Sequence, residues 1–551
     1  MSMQVRLILT IALSLAILTA YSALRPRPPV PSPAPADATA KDTTPPAGET
    51  GAEEADTGAK APPAPTTDGS GSPPAATDRH EVGTDLLALE VTNAGIGRRG
   101  LVEAVRLRSE QFSGHPTGTD PFDLGDAGTF RVVVTDEAAE APLLDKQAAY
   151  EVVERTERRY VVAREQGGVR ATIALEAAGG YEGRLTVTLE NRRNTPLEHV
   201  VALSTRVGKS DSRYDVRRGL CHTDDDLEDA DASDVEDAPV RIRGAIPWGG
   251  SDAKYFASLL VGARPFASCT IEPVGEGERI ETTLRTEKLT VPPGDRITHT
   301  FGWYVGAKEL ERLQAFSVVP VGGASLEEAI DWGYLGAISE SLGKVLLRLL
   351  RWIHGWMGSW GLSILLLTVL VKAVTLPLTL KQMASMRRMK EIQPEINKIK
   401  EKYADDRVRQ GQELQALFSR SGVHPLAGCL PMLIQVPVWF ALYSMLLTAV
   451  ELVHQPFLWL PDLTQQDPFF VLPLGIGAAM YLQNRMMPNT MDEAQAKMMR
   501  TIMPVMFTAI MLFLPAGLGL YILTNIVLSV IQTAVQMRAG GGPTAAAAEG
   551  A

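Results

Sequence analysis

One lysine demands a reason. Lys372 sits inside the apolar run Trp360–Leu380, twelve residues after Trp360 and nine before Lys381. A helix rises ~1.5 Å per residue, which puts this charge ~14 Å from the basic end of the run. An ammonium at that depth in a bilayer costs ~2.5–3.5 kcal/mol or more, so it needs a partner, water or a task. Snorkelling of its aliphatic stem to the interface is the competing reading. The neighbours favour a wet face. Gly361, Thr368, Thr375 and Thr379 share Lys372's side of the helix, and Leu, Ile and Val fill the other. The last apolar run repeats the pattern. Tyr521, Thr524, Asn525, Ser529, Gln532 and Gln536 fall on one broad face, where interhelical hydrogen bonding is the alternative. Gln435 adds a polar group between Pro431 and Pro437. Together these residues outline a polar cavity with one positive charge and no acid inside the runs. Such a cation attracts acidic peptide segments.

Methionine adds an apolar counterpart. Of 18 Met, 16 lie in residues 339–551. Met432 and Met445, with Trp439, sit on one apolar run, and Met503, Met506 and Met511 on another. Met383, Met386 and Met389 recur at helical spacing beside Arg387 and Arg388. Methionine surfaces adapt to varied apolar partners, and core packing is the competing explanation.

Other chemistry is sparse. Asp224–Asp237 holds nine acids in fourteen residues but lacks the glycine and spaced ligands of a calcium loop, so it reads as a solvated loop. His222 and His299 have no carboxylate at a telling spacing and read as isolated surface histidines. Cys221 and Cys269 could pair in an oxidising compartment, and spacing alone leaves that open. The three cysteines exclude a disulfide scaffold and argue against a Cys-rich zinc site. No metal, cofactor or catalytic signature is expected, and the chain does not read as an enzyme.

The elements that must position Lys372 follow from composition. The chain has 551 residues, 53 Lys and Arg, and 64 Asp and Glu. Residues 339–551 carry 18 basic and 13 acidic residues, so the acidic excess lies wholly in residues 1–338. That acidity argues against nucleic acid as a partner. Residues 1–25 contain the uncharged run Leu7–Leu24 and read as a retained anchor rather than a cleaved signal. Residues 26–81 are rich in Pro, Ala and Thr and too poor in apolar side chains to order. Residues 82–320 alternate apolar and polar positions in short strands, such as Val169–Leu175 and Arg184–Glu190. They read as an all-β sandwich, followed by a short helix at Lys308–Phe316. Residues 321–358 form a connector and an amphipathic interfacial helix. Lys344, Arg348, Arg351 and His354 make its polar face, and Val345, Leu346, Leu349, Leu350 and Ile353 its apolar face. Residues 359–538 form a five-helix core with spans at Trp360–Leu380, Leu426–Val450, Phe469–Leu482, Ile502–Pro515 and Gly517–Met537. The third and fourth are short for a crossing. Residues 381–424 read as a helical hairpin, Gln382–Tyr403 and Arg407–Ser419, and residues 539–551 as a disordered tail.

With the anchor this gives a polytopic α-helical membrane protein of six spans carrying a large extracytoplasmic β domain. Lys381–His424 holds ten Lys and Arg and should be cytoplasmic. Both termini then lie in the cytoplasm, and residues 82–320 lie outside it.

Four ordered motifs carry a resemblance. Trp360-Gly-Leu-Ser through Lys372 to Pro377-Leu-Thr resembles the first core span of the YidC family of membrane protein insertases. So do His424-Pro-Leu-Ala-Gly-Cys429 through Gln435-Val-Pro437, Gln466-Asp-Pro468, and Ala516-Gly-Leu-Gly-Leu-Tyr521 to Asn525. The match covers residues 340–537. The anchor and large outer domain are similar to the Gram-negative form, whose domain is a β-supersandwich. The resemblance implies an inner-membrane insertase and chaperone with a periplasmic domain. Its clients would be nascent membrane proteins with short acidic tails. It would work alone or beside the Sec translocon, with ribosomes or targeting factors, in contact with lipid. It also implies a hydrophilic groove open to cytoplasm and lipid, with Lys372 as the groove charge where the family usually has Arg. Thr368, Thr375, Gln435, Tyr521, Thr524, Asn525, Ser529 and Gln532 would line it. Met432, Trp439, Met445, Met503, Met506 and Met511 would meet clients. The hairpin would present Met383, Met386, Met389, Arg387 and Arg388. A transporter or channel using Lys372, or a sugar-binding outer domain on an anchor, are the alternatives.

Overall fold

Strict alternation builds the first half. Along Val169–Gly179 the residues Val169, Ala171, Ile173, Leu175 and Ala177 are buried and their neighbours more open. This strand pairs antiparallel with Glu182–Asn191 in the expected hairpin, with Leu185 opposite Leu175. Gly180 makes the turn at φ 56°, a conformation that costs a side-chain-bearing residue strain.

The structure is a computed structural model. It describes residues 78–93, 101–108, 122–123, 130–137, 141–143, 149–208, 217–224, 226–236, 238–275, 279–320, 325–333, 337–403, 406–421, 430–486 and 498–539. The anchor expected at 1–25, nearly all of the linker at 26–81 and all but the first residue of the tail at 539–551 lie outside these residues.

The described strands form one sheet of 18. Its longest member, Phe256–Val274, has 19 residues and serves two halves of the sheet. Phe256–Gly262 pairs antiparallel with Arg296–Ala307, and Ser268–Val274 pairs with Arg279–Arg285. Gly262 stands where the strand changes partner, and a Cβ there would lie 2.1 Å from the carbonyl oxygen of Arg264. The core holds Phe130, Tyr160, Tyr181, Trp248, Phe266, Trp303 and Tyr304, all nearly inaccessible.

Several sequence expectations change here. The acidic stretch is not simply a loop, because Leu227–Asp231 forms a strand paired with Arg217–His222. Cys221 and Cys269 are joined in a disulfide and fully buried. Neither His222 nor His299 is an isolated surface histidine. His222 is buried against Trp248 and 2.9 Å from Glu328, and His299 Nε2 lies 2.8 Å from His199 Nε2. Their partners stand about a hundred residues away, beyond the reach of local spacing.

The second half is helical. Helix α1 is Leu310–Ala315, and a 3-10 turn at Leu326–Ala329 leads to α2, Ala337–Met357. Then come α3, Trp360–Lys402, α4, Arg407–Ser421, and α5, Leu430–Thr448. The last three are α6, Val471–Met486, α7, Met503–Met511, and α8, Ala516–Ala539. Helices α2 and α3 pack together and α2 packs on α5, while α8 packs on α6 and α3.

The first span and the first hairpin helix are one continuous helix of 43 residues, in spite of Pro377 and Pro394. The apolar residues of α2 also divide in a way the helical wheel did not show. Gly343, Leu346, Leu347, Leu350 and Ile353 are buried in the protein, whereas Ile338, Val345, Trp352 and Trp356 form an exposed strip. Helices stand at all five expected core positions. Among the described residues, Trp360–Leu380 and Ala516–Val535 are long and apolar enough to cross a membrane, and Val436–Thr448 and Arg500–Met511 are shorter apolar helices. A count of six crossings therefore goes beyond these helices.

Candidate functional site

Helices α3 and α8 bring the two polar faces together. Lys372 Nζ donates to Asn525 Oδ1 at 3.0 Å and to Ser529 Oγ at 2.7 Å. Asn525 and Ser529 are four apart and so adjacent on one face of α8. Lys372 is half-buried, and no ion pair to it occurs among the described residues. Periodicity puts Lys372 on the polar face of α3 and Asn525 and Ser529 on the polar face of α8, and the structure brings the three together.

The hydroxyls nearby are satisfied within their own helices. Thr368 donates to Ile364 O at 2.7 Å, Thr375 to Val371 O at 2.9 Å and Thr379 to Thr375 O at 3.0 Å. Thr524 donates to Leu520 O at 2.7 Å, and Ser529 to Asn525 O at 2.7 Å. Back-bonding of this kind hides a hydroxyl proton in apolar surroundings. Thr368 is also buried, as is Tyr521, so these two stiffen the helix contact more than they line an open groove. Gln532 keeps a buried amide nitrogen without a partner among the described residues.

The apolar candidates separate by exposure. Met506 is exposed and Met503 half-buried, but Met445 and Met511 are buried, which removes those two from the accessible surface. Trp439 is half-buried and stacks on Tyr443. Arg388 is exposed on α3. The side chains of Gln435, Met432, Met383, Met386, Met389 and Arg387 lie outside those described.

At the start of α3 the bundle is held by contacts between its helices and loops. Glu451 directly follows the expected run Leu426–Val450. It is buried and bonded to Arg351 of α2, with Arg351 Nε 2.7 Å from Glu451 Oε1. Arg351 also reaches Glu311 of α1 at 2.9 Å. Asp467 caps α6 by accepting from Phe469 N at 3.1 Å and Leu472 N at 2.6 Å, and it accepts from Trp459 Nε1 at 3.1 Å. Gly517 N donates to Leu463 O at 2.7 Å, which pins the start of α8 to the same loop. Gly361, at the start of α3, lies under Phe457, where a Cβ would come 2.1 Å from the ring. These contacts tie α2, the starts of α3, α6 and α8, and the loop between α5 and α6 together.

Comparison with known proteins bears on this arrangement. The family described as "60Kd inner membrane protein" matches residues 352–541, and "YidC periplasmic domain" matches residues 140–345. The membrane protein insertase YidC of Anaeromyxobacter dehalogenans strain 2CP-C is 40% identical over 332 residues, 59% of this chain and 57% of that protein. The membrane protein insertase YidC of Pelobacter propionicus is 35% identical over 384 residues, 67% of this chain and 69% of that protein. This chain belongs to the YidC family. A solved active YidC insertase with its first transmembrane domain resolved aligns at 19% identity and TM-score 0.35, over 83% of this chain and 92% of that one. The two YidC family matches divide near residue 350, within α2, where the described β domain has ended and the bundle begins.

Proposed function

We propose that this protein inserts nascent membrane proteins into the bacterial inner membrane and assists their folding, without chemical catalysis. The observation that carries the reading is Lys372, an ammonium on a membrane-length helix held by Asn525 and Ser529, with no ion pair to a carboxylate among the described residues. A charge kept in that setting is a standing attraction for an acidic client tail. At an effective dielectric near 20 a carboxylate about 4 Å away gains ~4 kcal/mol, enough to recruit the tail and small enough to release it. The client's apolar segment would then leave toward lipid past the exposed side chains of α7, such as Val505 and Met506.

The topology proposed with this function has six spans. The β domain and the loop carrying Glu451 face the periplasm, and the tip of α3 with α4 faces the cytoplasm. Two observations support it. The Cys221–Cys269 disulfide suits an oxidising compartment. The helical arm from Lys381 to Arg420 is the most basic part of the bundle.

The test is insertion in proteoliposomes holding only the purified protein, scored by protease protection of a short single-span client with an acidic tail. Wild type and Lys372→Arg should insert it. Lys372→Ala should lose at least tenfold in initial rate, the loss of a charge-assisted contact worth ~1.5 kcal/mol or more. Equal rates for all three would remove Lys372 from the mechanism and keep the insertase. Absence of insertion by wild type, with sound controls, would remove autonomous insertion and leave a chaperone or a factor that needs the Sec translocon.

A further inference from the structure

We infer that Asn525 is a client-binding residue, its side-chain amide supplying the second hydrogen-bond donor that a lysine cannot offer a carboxylate. This rests on the groove reading above. An ammonium has three N–H groups and no acceptor. Lys372 spends one on Asn525 Oδ1 and one on Ser529 Oγ, which leaves one for a ligand. Because the ammonium can only donate, Asn525 must turn its oxygen toward it. That settles the amide orientation, which geometry alone often leaves open. The Asn525 nitrogen then carries two N–H groups away from Lys372. It has no hydrogen-bond partner among the described residues and is not among the buried unsatisfied atoms.

Ser529 cannot play this part. Its proton goes to the carbonyl of Asn525, so its oxygen is left to accept from Lys372. Thr375 and Thr524 have likewise given their protons to their own helices. Among the described side chains that touch the ammonium, only Asn525 keeps donors free. A carboxylate binds best to two near-parallel donors, which arginine supplies from one planar fork and lysine does not. The third N–H of Lys372 and the amide of Asn525 form a divided version of that fork. The site therefore prefers a carboxylate to a single carbonyl oxygen, and Asn525 carries part of that preference.

The experiment uses the full-length protein in proteoliposomes with two clients, one with an acidic tail and one with its carboxylates replaced by amides. Asn525→Ala should slow insertion of the acidic client about tenfold and of the amide client less than about twofold. Combined with Lys372→Arg, which brings its own fork, Asn525→Ala should cost less than about threefold relative to that background. Asn525→Asp, nearly isosteric, keeps the oxygen that Lys372 uses but has no N–H, and should also lose the acidic client. Equal losses for both clients, or in both the Lys and Arg backgrounds, would show that Asn525 only ties α3 to α8 and would overturn the inference. Normal insertion of the acidic client by Asn525→Asp would overturn it as well. If wild type inserts neither client, the groove reading has failed and this inference goes with it. Thermal unfolding of each variant in detergent separates loss of fold from loss of binding, and Asn525→Asp serves where Asn525→Ala does not fold.

Discussion

Two histidines in the β domain show how a residue's surroundings set its charge. His199 and His299 meet at 2.8 Å, beside a cleft of ≈ 220 Å³ lined by Arg264, Glu287 and Phe301. Burial, then His199, then Arg264 push His299 down to about 4. Burial lowers His199 as well. A histidine lowered by folding binds its proton in the unfolded chain first. The stability it contributes is therefore complete above the unfolded value near 6.5 and is lost as pH falls toward 4. His299 is only partly buried, so the loss should be about 1–2 kcal/mol rather than the full shift. The melting temperature of the protein in detergent should fall between pH 6.5 and 4, and His299→Gln should flatten that slope. An unchanged slope would mean that other groups dominate acid sensitivity. Sequence spacing could not find this pair, because the two rings meet from positions a hundred residues apart, on strands that do not pair with each other. Lys372, Asn525 and Ser529 could be found, because a helix fixes which side chains share a face and an isolated charge in an apolar run singles out the face that matters.

The same contrast governs the elements. Helix α2 was readable as amphipathic, but not how its two faces would be used. Its polar residue Arg351 is an inward anchor to Glu451, and part of its apolar surface, with Trp352 and Trp356, is exposed. The cause is tertiary. Leu346, Leu350 and Ile353 already fill the contact with α3 and α5, so the remaining apolar residues face away. Burial pushes the Glu451 carboxyl up, and Arg351 acts against that. Removing the cation leaves a buried carboxylate with no partner. Arg351→Met should therefore destabilise the protein by about 3 kcal/mol, and Arg351→Met with Glu451→Leu should recover most of the loss. Thermal unfolding of the two variants in detergent decides it. If the double variant is no more stable than the single one, the pair does not account for the cost. Continuity of α3 past residue 380 was missed for a related reason. A change from apolar to basic composition marks where the helix leaves lipid, not where it stops being a helix.

At the scale of the whole molecule, the disulfide is the feature that connects fold to location. Cys221 and Cys269 are 48 residues apart in sequence, and β geometry brings their Cα atoms to 6.2 Å. Sequence left this pairing open because the register sets Cys221 opposite Gly249 and Cys269 opposite Ile242, seven residues apart on Val240–Ala253, and they meet only where that strand is irregular, with register shifts between Arg243 and Trp248. Closing a loop of that length should stabilise the β domain by about 2–4 kcal/mol, so Cys221→Ser with Cys269→Ser should lower its unfolding transition accordingly. The chemistry also reports topology. A cytosolic pool of reduced thiols keeps such pairs open, whereas the periplasm keeps them closed. The chain's third cysteine, Cys429, lies outside the described residues and stands alone in the helical half. Protein taken from cells into denaturant with an alkylating agent, without reductant, should gain one label by intact mass and three after reduction. Three labels before reduction would place residues 217–275 in a reducing compartment and defeat the proposed orientation. One label would put that domain on the oxidising side. The proposed orientation would then set Lys372 on α3 between the outer loop carrying Glu451 and the basic arm, as delivery of a client from the cytoplasm requires.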